Sequence, residues 1–182
     1  MTTVEDFPDV LLAAQSGADW AIGVLFTAHN PMLVRFLEGR ARGFGDDLAQ
    51  EVWIAAARNL RTFTGDESAF RSWLFSIARS KVIDHGRRST RRPSTPTDPH
   101  VMEATSATQT SEDRVTAREA IDELVAGLSD EHADIVLLRV VAGLSVEEVA
   151  AIVGKRPGAV RVAQHRALRR VAQRLQSHEV TR

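Results

Sequence analysis

The chain has 182 residues, of which 43% are hydrophobic, with 23 Lys and Arg against 24 Asp and Glu. This composition supports one folded domain or two small ones and excludes a chain that is disordered throughout. It contains no cysteine, which excludes disulfides and thiolate metal sites and favours a reducing compartment. No apolar run approaches the roughly 20 residues of a membrane helix, and the first residues lack the basic and then apolar order of a signal peptide. We therefore expect a cytoplasmic protein without membrane insertion.

Helical periodicity predicts an all-α fold, because no segment alternates as a strand would. Pro31 is expected at a helix break or in a first turn. Asp46 and Ser68 are candidate N-caps, and a loop is expected at 63–68. Four helical segments are predicted in the first half of the chain: 20–29, 32–42, about 46–60 and a helix that follows the loop.

Residues 93–111 differ in composition from the rest of the chain. Three prolines lie within 93–99, and a stretch rich in Ser, Thr and Ala follows, which predicts a flexible linker. Two small helical domains, 1–92 and 112–182, are therefore expected on either side of it. The second domain should contain four helices, at about 112–126, 130–142, 146–153 and 157–176.

Local signals mark the ends of these later helices. Gly127 and Gly143 are expected just after helix C-termini. Ser129 and Ser145 are expected N-caps, and Glu148 completes a Ser-x-x-Glu capping box with Ser145.

Cations are concentrated in two segments, although the net charge is only −1. Residues 71–92 carry seven Lys and Arg against one acidic residue, and residues 155–174 carry seven and no acidic residue. Between them, residues 93–130 carry eight acidic residues against two Arg. Two basic segments separated by acidic sequence predict two nucleic-acid contacts on one polypeptide. The aromatic residues among the first cations are expected mostly in the core, because they have helical spacing.

Residues 144–170 predict a helix-turn-helix, the motif that places its second helix in a DNA major groove. Gly154 can take a positive φ in the turn, and Pro157 can begin the second helix. The basic side of that helix would face DNA, and a solvated basic helix is the alternative. Three small residues fall together on the other face and should be buried: Val160, Ala163 and Ala167.

Several motifs, in this order, resemble one known family. They are Asp47-Leu-Ala-Gln-Glu-Val-Trp53, Phe63-Thr-Gly-Asp66, the segment from Phe70 to Arg79 with Asp84 and Arg87-Arg88 after it, and the segment 144–168. All but the last are similar to region 2, and the last to region 4, of a bacterial extracytoplasmic-function (ECF, group 4) RNA polymerase sigma factor of the sigma-70 family. The similarity covers about 18–92 and 112–176.

The resemblance implies an alternative sigma factor that directs RNA polymerase to specific promoters and that an anti-sigma factor holds inactive. It implies no enzymatic activity, no cofactor and no metal. Region 2 would bind the coiled coil of the largest subunit of the polymerase core. The residues that match this contact by position are Asp47, Gln50, Glu51 and Trp53.

The resemblance also implies two promoter contacts. Region 2 melts and reads the −10 element, and the matching residues are Phe63, Thr64, Asp66, Arg79, Ser80, Lys81, Arg87 and Arg88. Region 4 reads the −35 element, and the matching residues are Arg161, Val162, His165, Arg166 and Arg169. The chain departs from the family at Val162 and Ala163, where Ser and Arg are common, which predicts a base preference of its own.

The linker is long enough to bridge two promoter elements only when stretched. Residues 89–111 number 23, which gives about 25 Å as a flexible coil and about 75 Å when extended. Elements about 17 base pairs apart are separated by about 58 Å. The polymerase should therefore hold the linker extended. The free protein could fold its domains together and hide its DNA surfaces, a state that an anti-sigma factor would exploit.

Three other functions are compatible with parts of the sequence. A helix-turn-helix regulator that binds duplex operators without polymerase is the main alternative, but it leaves residues 47–88 without a role. An enzyme is disfavoured because the chain lacks a Gly-x-x-x-x-Gly-Lys phosphate loop and any cluster with metal-ligand spacing. A protein-interaction adaptor with incidental basic patches is the third.

Overall fold

The computed structural model describes residues 4–91 and 111–180, and within these ranges it contains eight α-helices and no strand. The all-α class is therefore confirmed for the described part. The predicted linker at 93–111 lies outside the described residues, apart from Ser111. The helices are α1 (Phe7–Gln15), α2 (Asp19–Arg40), α3 (Gly45–Asn59), α4 (Glu67–Arg91), α5 (Ser111–Val125), α6 (Asp130–Val136), α7 (Val146–Val153) and α8 (Pro157–Val180).

Helices α1–α4 form the first bundle, whose core is built on aromatic rings. Phe36 meets Phe75 edge to face with ring centres 5.6 Å apart, and Phe70 lies 5.7 Å from Phe7 of α1. These rings are buried, as their helical spacing predicts. Helix α1 therefore contributes to the core of the bundle.

Helix α2 runs unbroken from Asp19 to Arg40, so the expected break at Pro31 is wrong. A proline inside a helix removes the N–H that would bond the carbonyl four residues earlier. That carbonyl belongs to Thr27, and both Thr27 and Pro31 are exposed. On the exposed side of a helix such a carbonyl can bond water, and α2 continues through Pro31.

The expected N-cap at Asp46 is also wrong, because α3 begins one residue earlier, at Gly45. A carboxylate from α2 replaces the local cap. Glu38 accepts the N–H of Gly43 at 3.0 Å and the N–H of Gly45 at 3.1 Å. A side chain at Gly45 would collide with Glu38 Oε2, which lies 2.6 Å from the position of a Cβ.

The cap of α4 is Asp66 and not Ser68, which corrects a second expectation. Asp66 Oδ1 accepts the N–H of Ala69 at 2.8 Å. The hydroxyl of Ser68 is thereby left to donate a hydrogen bond to the other bundle.

Helices α5–α8 form the second bundle, and its helix ends follow the predicted signals. Ser129 and Ser145 accept N–H bonds as the N-caps of α6 and α7. Gly127 and Gly143 follow helical segments with φ of 73° and 67°. The predicted helix at 130–142 is helical without a gap from Asp130 to Val141, but its second part, Leu137–Val141, is a wider π-type turn.

Arg139, on this π-type turn, ties the turn to the rest of the second bundle. Its Nε donates to Gln164 Oε1 of α8 at 3.2 Å, and its Nη1 donates to the carbonyl of Leu144. The start of α7 and the middle of α8 are thus held by one guanidinium group.

The two bundles pack against each other, with α7 on α4 and α5 on α2; we call this the closed arrangement. Gly39 of α2 makes the approach possible. A Cβ at Gly39 would lie 2.7 Å from Cγ2 of Ile121 and 2.9 Å from Cδ1 of Leu137. The sequence analysis expects that the free protein could fold its two domains together, and the structure has the two bundles in contact.

Candidate nucleic-acid interface

Helices α7 and α8 form a helix-turn-helix whose turn is fixed by local hydrogen bonds. The Ser145 hydroxyl accepts the N–H of Glu148 at 3.1 Å, and the Glu148 carboxylate accepts the N–H of Ser145 at 2.6 Å. Gly154 ends α7 in the left-handed conformation at φ 69°, and Pro157 begins α8. The predicted capping box, turn glycine and helix start are confirmed.

One face of α8 is buried and holds the helix against its own bundle. Val160, Ala163 and Ala167 are all buried, as predicted, and so are Val149 and Ala150 of α7. Small side chains on both helices allow a close approach of the two backbones. The opposite face of α8 is thereby directed outward.

The outward face of α8 is basic and accessible. Arg161 pairs with Glu147 at 3.1 Å, but both side chains are at least 60% exposed, so this ion pair is weak and DNA can replace it. An exposed cationic face on the second helix of the motif is the geometry of a DNA-reading helix. All five residues expected at the −35 element have exposed side chains there: Arg161, Val162, His165, Arg166 and Arg169.

The loop that precedes α4 is held in place from both sides. The ring of Phe63 lies 5.5 Å from that of Phe70 and 5.0 Å from that of Trp73. On the other side, Gln15 of α1 donates to the carbonyls of Leu60 at 3.0 Å and Phe63 at 2.7 Å. Gln15 is a positioning residue that sequence reasoning missed, since no motif includes it.

The residues expected at the −10 element divide by accessibility. Phe63 is half-buried, and Asp66 is exposed while its carboxylate caps α4. Arg79 and Lys81 of α4 are half-buried and engaged in ion pairs. The remaining four are exposed: Thr64, Ser80, Arg87 and Arg88.

Lys81 ties α4 to the face expected to bind polymerase. Its Nζ lies 2.9 Å from Glu51 Oε2. This hydrogen bond lowers the pKa of Glu51, more than partial burial raises it. Arg88 lies 4.0 Å from the same oxygen. Helices α3 and α4, which carry the residues expected at the polymerase and at the −10 element, are therefore linked by ion pairs.

The four residues expected at the polymerase lie on α3: Asp47, Gln50, Glu51 and Trp53. The first two are exposed. Trp53 is half-buried, donates through Nε1 to Asn30 Oδ1 at 3.0 Å, and packs 5.3 Å from the ring of Phe26. The structure thus brings the acidic residues to one accessible face, with Trp53 fixed at its edge.

Sequence reasoning missed that two buried carboxylates of the second bundle contact the first bundle. The first is Asp134, which is 3% exposed. Its Oδ1 lies 2.7 Å from Arg40 Nε and its Oδ2 lies 2.9 Å from Arg79 Nε. An acidic residue inside the apolar run 133–138 was the available signal, because a buried charge requires a partner.

The second buried carboxylate is Glu148 of the capping box. Its Oε1 accepts from the Ser68 hydroxyl and from Arg71 Nη2, each at 2.9 Å. Burial alone would raise the pKa of Glu148, but hydrogen bonds from Ser145 first, and then from Ser68 and Arg71, outweigh burial and lower the pKa. Glu148 is therefore ionised where the bundles meet.

The described part of the chain offers cationic surfaces. Within residues 4–91 and 111–180, no three His, Asp or Glu side chains are grouped as metal ligands would be. In the same two ranges, no helix is long and apolar enough to cross a bilayer. Guanidinium groups on α4 and α8 suit phosphate and guanine, so the arrangement supports contact with DNA.

Two family models match the chain: Sigma-70 region 2 over residues 25–92, and Sigma-70, region 4 over residues 118–171. The ECF RNA polymerase sigma factor BldN of Streptomyces coelicolor is 33% identical over 167 residues, which are 89% of this chain and 63% of BldN. The chain therefore spans less than two thirds of that relative. The ECF RNA polymerase sigma factor SigD of Mycobacterium tuberculosis is 34% identical over 170 residues, 89% of this chain and 80% of SigD.

Two solved structures are similar in fold. One is CnrH in complex with the cytosolic domain of CnrY, with a TM-score of 0.69, 22% identity, and coverage of 95% of this chain and 99% of that one. The other is the sigma factor RpoE in complex with the anti-sigma factor NepR from Bartonella quintana. Its TM-score is 0.61 and its identity 21%, with coverage of 83% and 94%. At these identities the likeness supports the helical fold.

Proposed function

This chain belongs to the ECF RNA polymerase sigma factors of the sigma-70 family, and we propose that it directs RNA polymerase to a specific set of promoters. The observation that carries the proposal is the presence of two matched regions on one chain, the second with an exposed cationic reading face on α8. A regulator that binds duplex operators alone would need only the second region.

We assign three contacts to the two bundles. The outward face of α8, with Arg161, Val162, His165, Arg166 and Arg169, reads the −35 element. The loop before α4 and the residues of α4 read and melt the −10 element. The acidic face of α3, with Asp47, Gln50 and Glu51, binds the coiled coil of the largest polymerase subunit, and Trp53 supports it. Polymerase performs the synthesis, so we assign no enzymatic activity to this chain.

An anti-sigma factor is the regulator that we assign to this function, acting in the cytoplasm. Support comes from the similar structure of RpoE, which is a complex with the anti-sigma factor NepR. In this chain the two bundles meet where α7 packs on α4 and α5 on α2. A partner that contacts both bundles across this junction binds the closed form more tightly and therefore favours it.

Co-purification with core polymerase and run-off transcription test the proposal together. The full chain should co-purify with core enzyme, and the reconstituted holoenzyme should start transcripts at a common sequence pair in a genomic library. A chain that binds duplex DNA but not core polymerase would favour the operator-binding regulator and overturn the proposal.

A further inference from the structure

Two arginines of the first bundle are aimed at a single carboxylate of the second. Arg40 is the last residue of α2, and Arg79 lies near the middle of α4. Their Nε atoms lie 2.7 Å and 2.9 Å from the two different oxygens of Asp134. Two separate helices thus direct guanidinium groups to one point, which we call the Arg40–Arg79 site.

Asp134 lies at this site in buried, apolar surroundings, which disfavour an unpaired charge. It is 3% exposed and lies inside the buried run from Ala133 to Leu138. A carboxylate taken out of water is unfavourable unless it is paired with good geometry. Each of its oxygens meets a guanidinium of the first bundle, so its position depends on the closed arrangement.

A DNA phosphate offers these arginines the same chemistry as the Asp134 carboxylate. Both groups present two oxygen acceptors that share negative charge, and arginine binds them through charge-assisted hydrogen bonds. Further along α4, Ser80 and Arg87 are exposed, and both lie within about 100° of Arg79 around the helix axis. A strand that follows this face of α4 would reach the Arg40–Arg79 site once Asp134 leaves it.

We propose that Arg40 and Arg79 bind a backbone phosphate of DNA, and that Asp134 takes the place of this phosphate in the closed arrangement. The inference rests on the proposed function for its choice of DNA as the source of the phosphate. The closed form and the DNA-bound form compete for the same two guanidinium groups. Opening of the bundles and binding of DNA along α4 are therefore coupled.

Two variants of the full chain separate this site from closure itself. Asp134→Asn removes the competing charge and keeps both arginines, whereas Arg40→Gln removes the ion pair together with half of the site. Both variants should open the bundles, which small-angle X-ray scattering detects as a larger radius of gyration. Affinity for a fluorescein-labelled single-stranded oligonucleotide, measured by anisotropy, should rise about tenfold for Asp134→Asn. For Arg40→Gln it should stay within about twofold of the unmodified chain.

The double variant Asp134→Asn with Arg40→Gln should lose the gain in affinity. Its slope of log affinity against log salt should be smaller than that of Asp134→Asn by about 0.7, the value for one single-strand phosphate contact. Asp130→Asn is the matched control, because Asp130 also pairs with Arg40, at 3.0 Å, but its side chain is 92% exposed. It should change neither closure nor DNA affinity. If Asp134→Asn does not fold, Asp134→Leu, which extends the apolar run of α6, takes its place in the same measurements.

These experiments test the Arg40–Arg79 site independently of the proposed function. Equal oligonucleotide affinities for Asp134→Asn and Arg40→Gln, with both chains open, would overturn the Arg40–Arg79 site. Thermal stabilisation of Asp134→Asn by sodium phosphate, without a gain for the oligonucleotide, would overturn DNA as the source of the phosphate. Binding of the unmodified chain to core polymerase is measured alongside. Its failure concerns the proposed function alone, because the anisotropy comparison involves no polymerase.

Discussion

The basic face of α8 and the basic segment of α4 look alike in sequence, but the structure exposes the first and partly covers the second. On α8 the five predicted reading residues are exposed, and the ion pair between Arg161 and Glu147 is itself exposed. On α4, Arg71 and Arg79 end on buried carboxylates of the second bundle. A run of cations therefore predicts a capacity to bind DNA and does not predict its availability. In the closed arrangement, the α8 face proposed to read the −35 element is accessible, while part of the α4 surface proposed to read the −10 element is covered.

The largest expected effect comes from forcing the two surfaces apart. Gly39→Leu should abolish closure, because its side chain would occupy the space of Ile121 and Leu137; overpacking of this kind costs up to about 3 kcal/mol. The radius of gyration should increase, and the single-strand affinity of α4 should rise. Gly23→Leu is the matched control on the same helix, since a Cβ at Gly23 meets nothing within 4 Å. Equal compactness of the two variants would contradict the role given to Gly39.

A second difference between the bundles is a buried histidine. His29 of the first bundle is 3% exposed, whereas His132 and His165 of the second are not buried. Burial, and then the charge of Arg71, lower the pKa of His29 from 6.5 to about 4. Below pH 6.5 the unfolded state takes up a proton that the folded state refuses until about pH 4. The free energy of unfolding should therefore fall across this window, by about 3 kcal/mol in total.

Urea unfolding followed by tryptophan fluorescence measures this effect, because all three tryptophans lie in the first bundle. His29→Leu should show a much smaller fall between pH 6.5 and 4, since the buried histidine that causes the fall is then absent. Parallel pH profiles for the two chains would show that His29 does not remain neutral in the folded state.

The division of labour between the bundles is tested by a pair of variants with opposite expected effects. Arg166→Ala on α8 should weaken promoter-specific transcription by about 2 kcal/mol, within the range for a bidentate arginine–guanine contact, while core binding persists. Asp47→Ala combined with Glu51→Ala on α3 should weaken core binding and leave −35 duplex affinity unchanged. Run-off transcription and polymerase co-purification check both. An equal loss of core binding in both variants would show that the assignment is wrong.

The smallest expected effect separates the two N-caps of the second bundle. Ser145→Ala should destabilise that bundle by about 1 kcal/mol, because it removes the cap of α7 and one half of the capping box. Ser129→Ala should cost less, since the N–H to hydroxyl distance at His132 is 3.4 Å, against 3.1 Å at Glu148. Thermal unfolding followed by circular dichroism measures both. A larger loss for Ser129→Ala would reverse the ranking of the two caps.

Features determined within a few residues could be predicted from the sequence. The capping box at Ser145 and the left-handed Gly154 depend on residues a few positions away, and the spacing of Val160, Ala163 and Ala167 indicates the buried face of α8. The structure has all three features. Features that depend on distant partners could not be predicted. The cap of α3 comes from Glu38 on another helix, and Asp134 meets arginines 55 and 94 residues away in sequence.

The residues expected at the two promoter elements show the same division. Position on a helix was enough to predict that the α8 set is accessible, because only its own bundle packs on it. For α4 the accessibility of the side chains depends on the second bundle. The residues next to Arg79 and Ser68 in the sequence therefore do not indicate that these two side chains bind carboxylates of that bundle. The polymerase-face residue Glu51 also has its partner, Lys81, on a different helix.

Substitutions of the two buried carboxylates of the second bundle, Glu148 and Asp134, should affect different parts of the structure. Glu148 uses one oxygen for the N-terminus of α7 and the other for Ser68 and Arg71, so a change there damages the helix-turn-helix as well as closure. Asp134 places both oxygens on the other bundle. A substitution at position 134 should therefore loosen or tighten the closed arrangement without damaging the capping box of α7. The strength of closure and the local fold of the helix-turn-helix are thus determined by different residues.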